Sequence, residues 1–215
     1  MKKGKTSILL ILDRSGSMSN RHADLIGGVN TFVTDQKKLE GGGECRLSVI
    51  SFDTVIEEDL WDIDIQFAPE FNTAQHFIPR GGTALYDAVG HGIDKLGKDL
   101  AALPEEERPE EVIVLIYTDG EENSSRLVTS SRLKEKIEHQ QNTYKWKFIF
   151  MGANQDAILT AREIGISADS SITFNHTSAG NLAVYSGASI LASGYRINHT
   201  GCFTREARLA ALSDD

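Results

Sequence analysis

Ile8-Leu9-Leu10-Ile11-Leu12-Asp13-Arg14-Ser15-Gly16-Ser17-Met18-Ser19 joins an unbroken apolar run to three oxygen-bearing side chains at alternate positions, Asp13, Ser15 and Ser17. Five consecutive Ile and Leu residues read as a strand buried on both faces, the kind that runs through a parallel sheet covered by helices. Asp13 then stands at the carboxyl end of that strand. Ligands gather outside such ends in open α/β sheets, because the connections diverge to opposite faces and leave a crevice. If the backbone stays extended through the loop, the carboxylate and the two hydroxyls point the same way. Gly16 gives the loop the backbone freedom for a tight turn.

Working outward, the same alternation of buried strand and amphipathic helix repeats along the chain. Asn20 to Leu39 carries Leu25, Ile26, Val29, Phe32 and Val33 at helical spacing and ends at the glycines 41–43. Cys45 to Phe52 is a second strand, and only Asp53 and Thr54 separate it from a third over Val55 to Ile65. So short a connection cannot hold a crossover helix, and the third strand is therefore expected antiparallel to the second. Its Trp61, Ile63 and Ile65 alternate with Asp62 and Asp64, an acidic face that suits a sheet edge.

Residues 66–82 have no regular pattern. Helix is expected over Ala84 to Leu96 and Arg126 to Gln141, around a fourth strand at Val112 to Tyr117. Trp146 to Met151 forms a fifth strand, followed by a short helix from Ala157 to Ile164. A sixth strand at Ser171 to Phe174 and a helix at Ala179 to Tyr195 close the pattern, with a detached tail helix expected at Thr204 to Leu212. This alternation predicts a doubly wound, Rossmann-like three-layer α/β sandwich. Its six-stranded sheet is mostly parallel, with one antiparallel edge strand, in the order 3-2-1-4-5-6. One domain over residues 1–197 and a tail over 198–215 follow from the length.

Strands 1 and 4 are neighbours at the switch point of that order, so Asp13 and Asp119 are expected on one crevice. Two aspartates about 4 Å apart repel by roughly 4 kcal/mol at an effective dielectric near 20. A divalent cation between them reverses that cost. Two carboxylates with hydroxyls and water make an all-oxygen set that matches Mg²⁺ or Mn²⁺, with Ca²⁺ as a third candidate, better than zinc. Magnesium keeps waters at sites with few protein charges, which leaves a position for an incoming oxygen.

Composition narrows the partners. With 31 acidic and 22 basic residues the formal charge is -9, which argues against nucleic acid or an anionic membrane as partner. No run approaches the ~18 apolar residues of a membrane span. Lys2, Lys3 and Lys5 precede an apolar stretch too short for an export signal. Cys45 and Cys202 form no paired motif and read as buried small residues of a reducing compartment, so the expected location is cytoplasmic. An enzyme finds no support: there is no G-x-S-x-G elbow, no dinucleotide or triphosphate loop, and the six histidines are scattered. Metal-assisted phosphoester hydrolysis is the weaker alternative that such a site leaves open.

Asp13-Arg14-Ser15-Gly16-Ser17, then Gly81-Gly82-Thr83-Ala84-Leu85-Tyr86-Asp87-Ala88, then Thr118-Asp119-Gly120 occur in that order. Together they resemble the von Willebrand factor type A (vWA) domain with its metal-ion-dependent adhesion site (MIDAS), over about residues 6–195. The wording of these segments, with Gly152-Ala153-Asn154-Gln155-Asp156-Ala157, looks most like bacterial and bacteriophage members. The resemblance implies that Ser15 and Ser17 bind the metal directly and that Asp13 and Asp119 act directly or through water. It implies that Thr83 binds in one loop state and withdraws in another, coupled to the final helix. It further implies a protein partner that presents Asp or Glu, with an adaptor role beside an AAA+ ATPase as an alternative setting. Singly, each of these residues is ordinary turn or capping chemistry. Asp87 is expected as a solvated carboxylate, or else as one that orients the site from behind. Asp53, Glu121, Asn154 and Asp156 are expected to make the rim negative.

Overall fold

A computed structural model describes residues 1–153 and 157–213. The sheet has six strands: β1 (Lys2–Asp13), β2 (Glu44–Phe52), β3 (Ile56–Asp64), β4 (Pro109–Thr118), β5 (Lys147–Gly152) and β6 (Ser171–Thr173). Their order is β3-β2-β1-β4-β5-β6. Only β2 and β3 pair antiparallel; every other neighbouring pair is parallel. The expected doubly wound architecture is the one observed.

Burial alternates along β1. Ile8, Leu10 and Leu12 enter one core with α1 (His22–Lys38), α5 (Ser178–Asn198) and α6 (Arg205–Ala211). Leu9 and Ile11 enter a second core with α2 (Leu85–Ala102), α3 (Ser130–Tyr144) and α4 (Ala157–Glu163). A strand covered on both faces needs apolar residues at every position, which is why its sequence reads as a continuous run.

Four expectations need correction. β3 does not alternate to its end, because Asp62 adopts a left-handed φ of 47° and the register with β2 shifts between Leu47 and Val49. This bulge places Trp61 against one core and Ile63 against the other. α3 begins at Ser130, not Arg126, because Glu122 of the same loop and Asp87 of α2 capture the backbone N–H groups of residues 124–128, and Thr129 caps the helix. The tail helix is not detached: α6 packs on α5, and Ala211 accepts a hydrogen bond from the Asn175 N–H. Of the two cysteines, Cys45 is buried but Cys202 is exposed.

Candidate metal centre

The five sequence-singled donors lie on three segments at the carboxyl end of the sheet. The chain leaves β1 at Asp13, keeps an extended conformation at Ser15 and then winds into a 3-10 turn over Gly16–Asn20. The convergence of Ser15 and Ser17 therefore comes from a turn, not from the extended loop expected from alternate spacing. The Ser15 N–H donates to Asp13 Oδ1 at 2.7 Å, an Asx-type closure that fixes the loop on its own carboxylate. Ser15 Oγ and Ser17 Oγ lie 3.0 Å apart, and Ser17 Oγ donates to Asp119 Oδ1 at 2.7 Å. Thr118 Oγ1 donates to Asp13 Oδ2 at 2.5 Å, tying β4 to the end of β1.

Thr83 is brought to the same place by backbone bonds on both sides. Its N–H donates to Asn123 Oδ1 at 2.9 Å, and its carbonyl accepts from the N–H groups of Asn123 and Ser124. Just ahead of it, the Gly16 N–H donates to the Gly81 carbonyl at 3.0 Å and the Arg80 N–H to the Arg14 carbonyl at 2.9 Å. Gly82 allows this approach: a methyl group there would sit 2.4 Å from Ser124 Oγ.

Gly120 shows how tightly the donors gather. A Cβ on this residue would lie 3.2 Å from Thr83 Oγ1, 3.7 Å from Ser17 Oγ and 3.9 Å from Asp13 Oδ2. One point on the third segment thus lies within 4 Å of oxygens from the other two, and the Asp119 carboxylate beside it joins them through Ser17 Oγ. Asp13 is 0% and Asp119 7% exposed. Burial pushes the Asp13 carboxyl up to about 6, and the nearby negative charge of Asp119 adds to that shift. The chemistry fits a hard divalent cation, since every donor is oxygen and the two carboxylates are withdrawn from the water that would otherwise stabilise their charge. Among the described residues no group of three or more His, Cys, Asp or Glu is placed to hold a metal ion.

The rim differs from expectation. Asp53 is buried; it accepts hydrogen bonds from Arg80 Nε at 2.7 Å and the Val55 N–H at 2.8 Å, and pairs ionically with Arg14 Nε at 3.1 Å. Asp87 is neither solvated nor aimed at the donors. Its carboxylate accepts the backbone N–H groups of Arg126, Leu127 and Val128 at 2.7–3.0 Å. In return, Glu122 Oε2 and Ser125 Oγ accept the N–H groups of Tyr86 and Asp87, which the start of α2 leaves without helical partners. Glu121 is exposed. Asn154 and Asp156 lie outside the described residues.

Sequence reasoning missed Asn123 and Glu122, which look like generic loop polars, and Arg21. The Arg21 guanidinium contacts Asp119 Oδ2 and, at 3.3 Å, the Ser17 carbonyl. No signal in the sequence pointed to it, because a lone basic residue ahead of a helix costs too little against the helix dipole to demand a partner.

No family model matches the chain, and no curated protein matches it. Solved structures do. The PilB minor pilin of Streptococcus sanguinis superposes with a TM-score of 0.64 at 11% identity, over 92% of this chain and 63% of that one. Proximal thread matrix protein 1 of the mussel byssus, with a zinc-occupied MIDAS motif, gives 0.57 at 17% identity over 89% and 46%. A von Willebrand factor type A protein of Catenulispora acidiphila gives 0.57 at 17% identity over 90% and 43%. The fold is therefore vWA-like, and the chain spans less than two thirds of the length of each of these neighbours.

Proposed function

We propose that the chain is a divalent-metal-dependent protein-interaction module in which Asp13, Ser15, Ser17, Thr83 and Asp119 hold the ion. The observation that carries this reading is the meeting of Asp13, Ser17 and Thr83 oxygens around Gly120, with the buried Asp119 carboxylate joined to them through Ser17 Oγ. When bound, a Mg²⁺ or Mn²⁺ ion supplies an electrophilic centre for an oxygen of a partner's Asp or Glu. The serine and threonine hydroxyls contribute neutral oxygens, and the aspartates contribute charge directly or through water. So few protein charges leave the ion electron-poor and receptive to a further carboxylate. Asn123, through the Thr83 N–H, keeps that threonine turned into the site. Two free thiols, with Cys45 raised to about 11 by burial and hence inert, accord with a reducing, cytoplasmic setting. Among the described residues no helix is long and apolar enough to cross a membrane.

Thermal unfolding of the native chain in excess Mg²⁺ or Mn²⁺, against the same chain in chelator, tests this reading. A ligand at about 100 times its Kd stabilises by about 2.7 kcal/mol. At about 2–4 °C per kcal/mol for a chain of this size, the melting temperature should rise by roughly 5–11 °C. Asp13→Ala should abolish the rise. A native chain indifferent to metal, or an Asp13→Ala chain that responds equally, would remove the proposal.

A further inference from the structure

We infer that Arg21 is a resident counter-cation of this centre, holding the buried Asp119 carboxylate in the metal-free chain and setting how tightly a divalent ion can bind. The inference rests on the metal-site reading above and concerns the regulation of that same site.

Both oxygens of Asp119 are engaged from within: Oδ1 accepts from Ser17 Oγ, and Oδ2 meets the Arg21 guanidinium. The Asp119 side chain is 0% exposed and that of Arg21 25%, so the pair lies at the mouth of the site with the carboxylate inward. Among the described residues, Arg21 is the only base in salt-bridge contact with either candidate carboxylate ligand. A second contact holds Arg21 in place: it closes the 3-10 turn Gly16–Asn20, and its guanidinium donates to the Ser17 carbonyl at 3.3 Å, so it is anchored on the same turn that carries Ser17.

A divalent ion among the same oxygens lies within a few ångströms of that guanidinium. It must either displace Arg21 from Asp119 or bind against its charge. By linkage, whatever stabilises the metal-free arrangement weakens metal binding by the same free energy. Removing a like charge at this range in a partly buried site should strengthen binding by about tenfold or more.

Mn²⁺ titration calorimetry and thermal unfolding of the full chain, compared with Arg21→Gln and Arg21→Lys, test this directly. In chelator, Arg21→Gln should melt below the native chain, because Asp119 loses its cation. In saturating Mn²⁺ the deficit should close or reverse, and the Mn²⁺ Kd should fall by about tenfold or more. Arg21→Lys keeps the charge and should stay near the native chain on both readouts. Native binding that Asp13→Ala abolishes, with an Arg21→Gln affinity equal to or weaker than native, would overturn the role of Arg21 while leaving the metal site standing. Equal melting of the native and Arg21→Gln chains in chelator would also overturn it, as would a lysine variant that behaves like glutamine. Absence of Mn²⁺ binding in all four chains would overturn both readings.

Discussion

Arg14 sits between two candidate ligands in sequence and turns away from both. Its guanidinium is buried against Asp53 at 3.1 Å and Glu57 at 2.5 Å, while Arg80 reaches the same two carboxylates from the next loop. This cluster fastens the 13–17 turn to the segment leading into Thr83, so it positions donors without touching the site. The Arg14 hydrogen bond is the main reason the Glu57 carboxyl is lowered from 4.5 to about 2. A depressed carboxylate stabilises the fold above its unfolded pKa and loses that contribution as pH falls through the folded value. Glu57 should therefore help at pH 6 and cease to help between about pH 4.5 and 2. Its side chain is 44% exposed, so solvent screening holds the gain to under about 1 kcal/mol. Urea midpoints of the native chain and Glu57→Gln should differ at pH 6, draw together below about pH 4.5 and merge only below about pH 2; a gap that does not narrow in acid would refute this origin. At this scale the sequence was readable where chemistry is repetitive, as in the oxygen donors of 13–17. It was silent where one carboxylate serves distant backbone N–H groups. Asp87 and Glu122 act that way, as does the amide oxygen of Asn123, and nothing in a loop's composition announces which N–H groups it will meet.

Elements were legible in proportion to how completely they are buried. β1 and β4 declared themselves because both faces are covered, whereas α2 runs six residues past Leu96, Gly97 to Ala102, with only Leu100 packed against the core. The bulge at Asp62 left no trace in the pattern, since a single left-handed residue changes faces without changing composition. The contact between α1 and α5 is the place where element packing can be tested sharply. A methyl on Gly28 would lie 2.1 Å from the Tyr185 ring, which is fully buried and stacked on Tyr117 at 5.2 Å between centroids. The ring has nowhere to retreat, because Tyr117 is itself held by its hydroxyl on Asn181 Oδ1 at 2.7 Å. At the neighbouring Gly27 a methyl would meet nothing within 4 Å. Overpacking costs about 1–3 kcal/mol, while replacing a helical glycine by alanine returns up to about 1 kcal/mol. Gly28→Ala should thus lower the melting temperature by several degrees and Gly27→Ala should raise it slightly. Similar melting of the two variants would mean that α1 and α5 are not in register as described.

For the whole molecule, two apolar cores share one sheet, and the oxygen donors ride on its carboxyl end, with Asp13 the last residue of β1 and the others on the loops beyond the strands. α6 completes the core on the α1 and α5 side. Phe203 is 5% and Ala211 0% exposed. Arg208 donates to the carbonyls of Ser171 and Ala168 at 2.7 and 2.6 Å, closing the short β6 edge. α6 packs on α5 and β6, and its hydrogen bonds include those to residues 168, 171 and 175. A chain ending at Gly201 should therefore lose the burial of Phe203, about 1.5–3 kcal/mol, together with the cover over β6. At about 2–4 °C per kcal/mol this is a fall of roughly 3–12 °C in melting temperature, with the transition still cooperative. The rise on adding Mg²⁺ should be as large as in the full chain, because metal linkage depends on the site and not on the cover. If the shortened chain fails to fold, α6 belongs to the cooperative unit itself. If it folds but the metal response disappears, the terminal helix and the donor cage are coupled through α5, and the separation of scaffold from site drawn here is wrong.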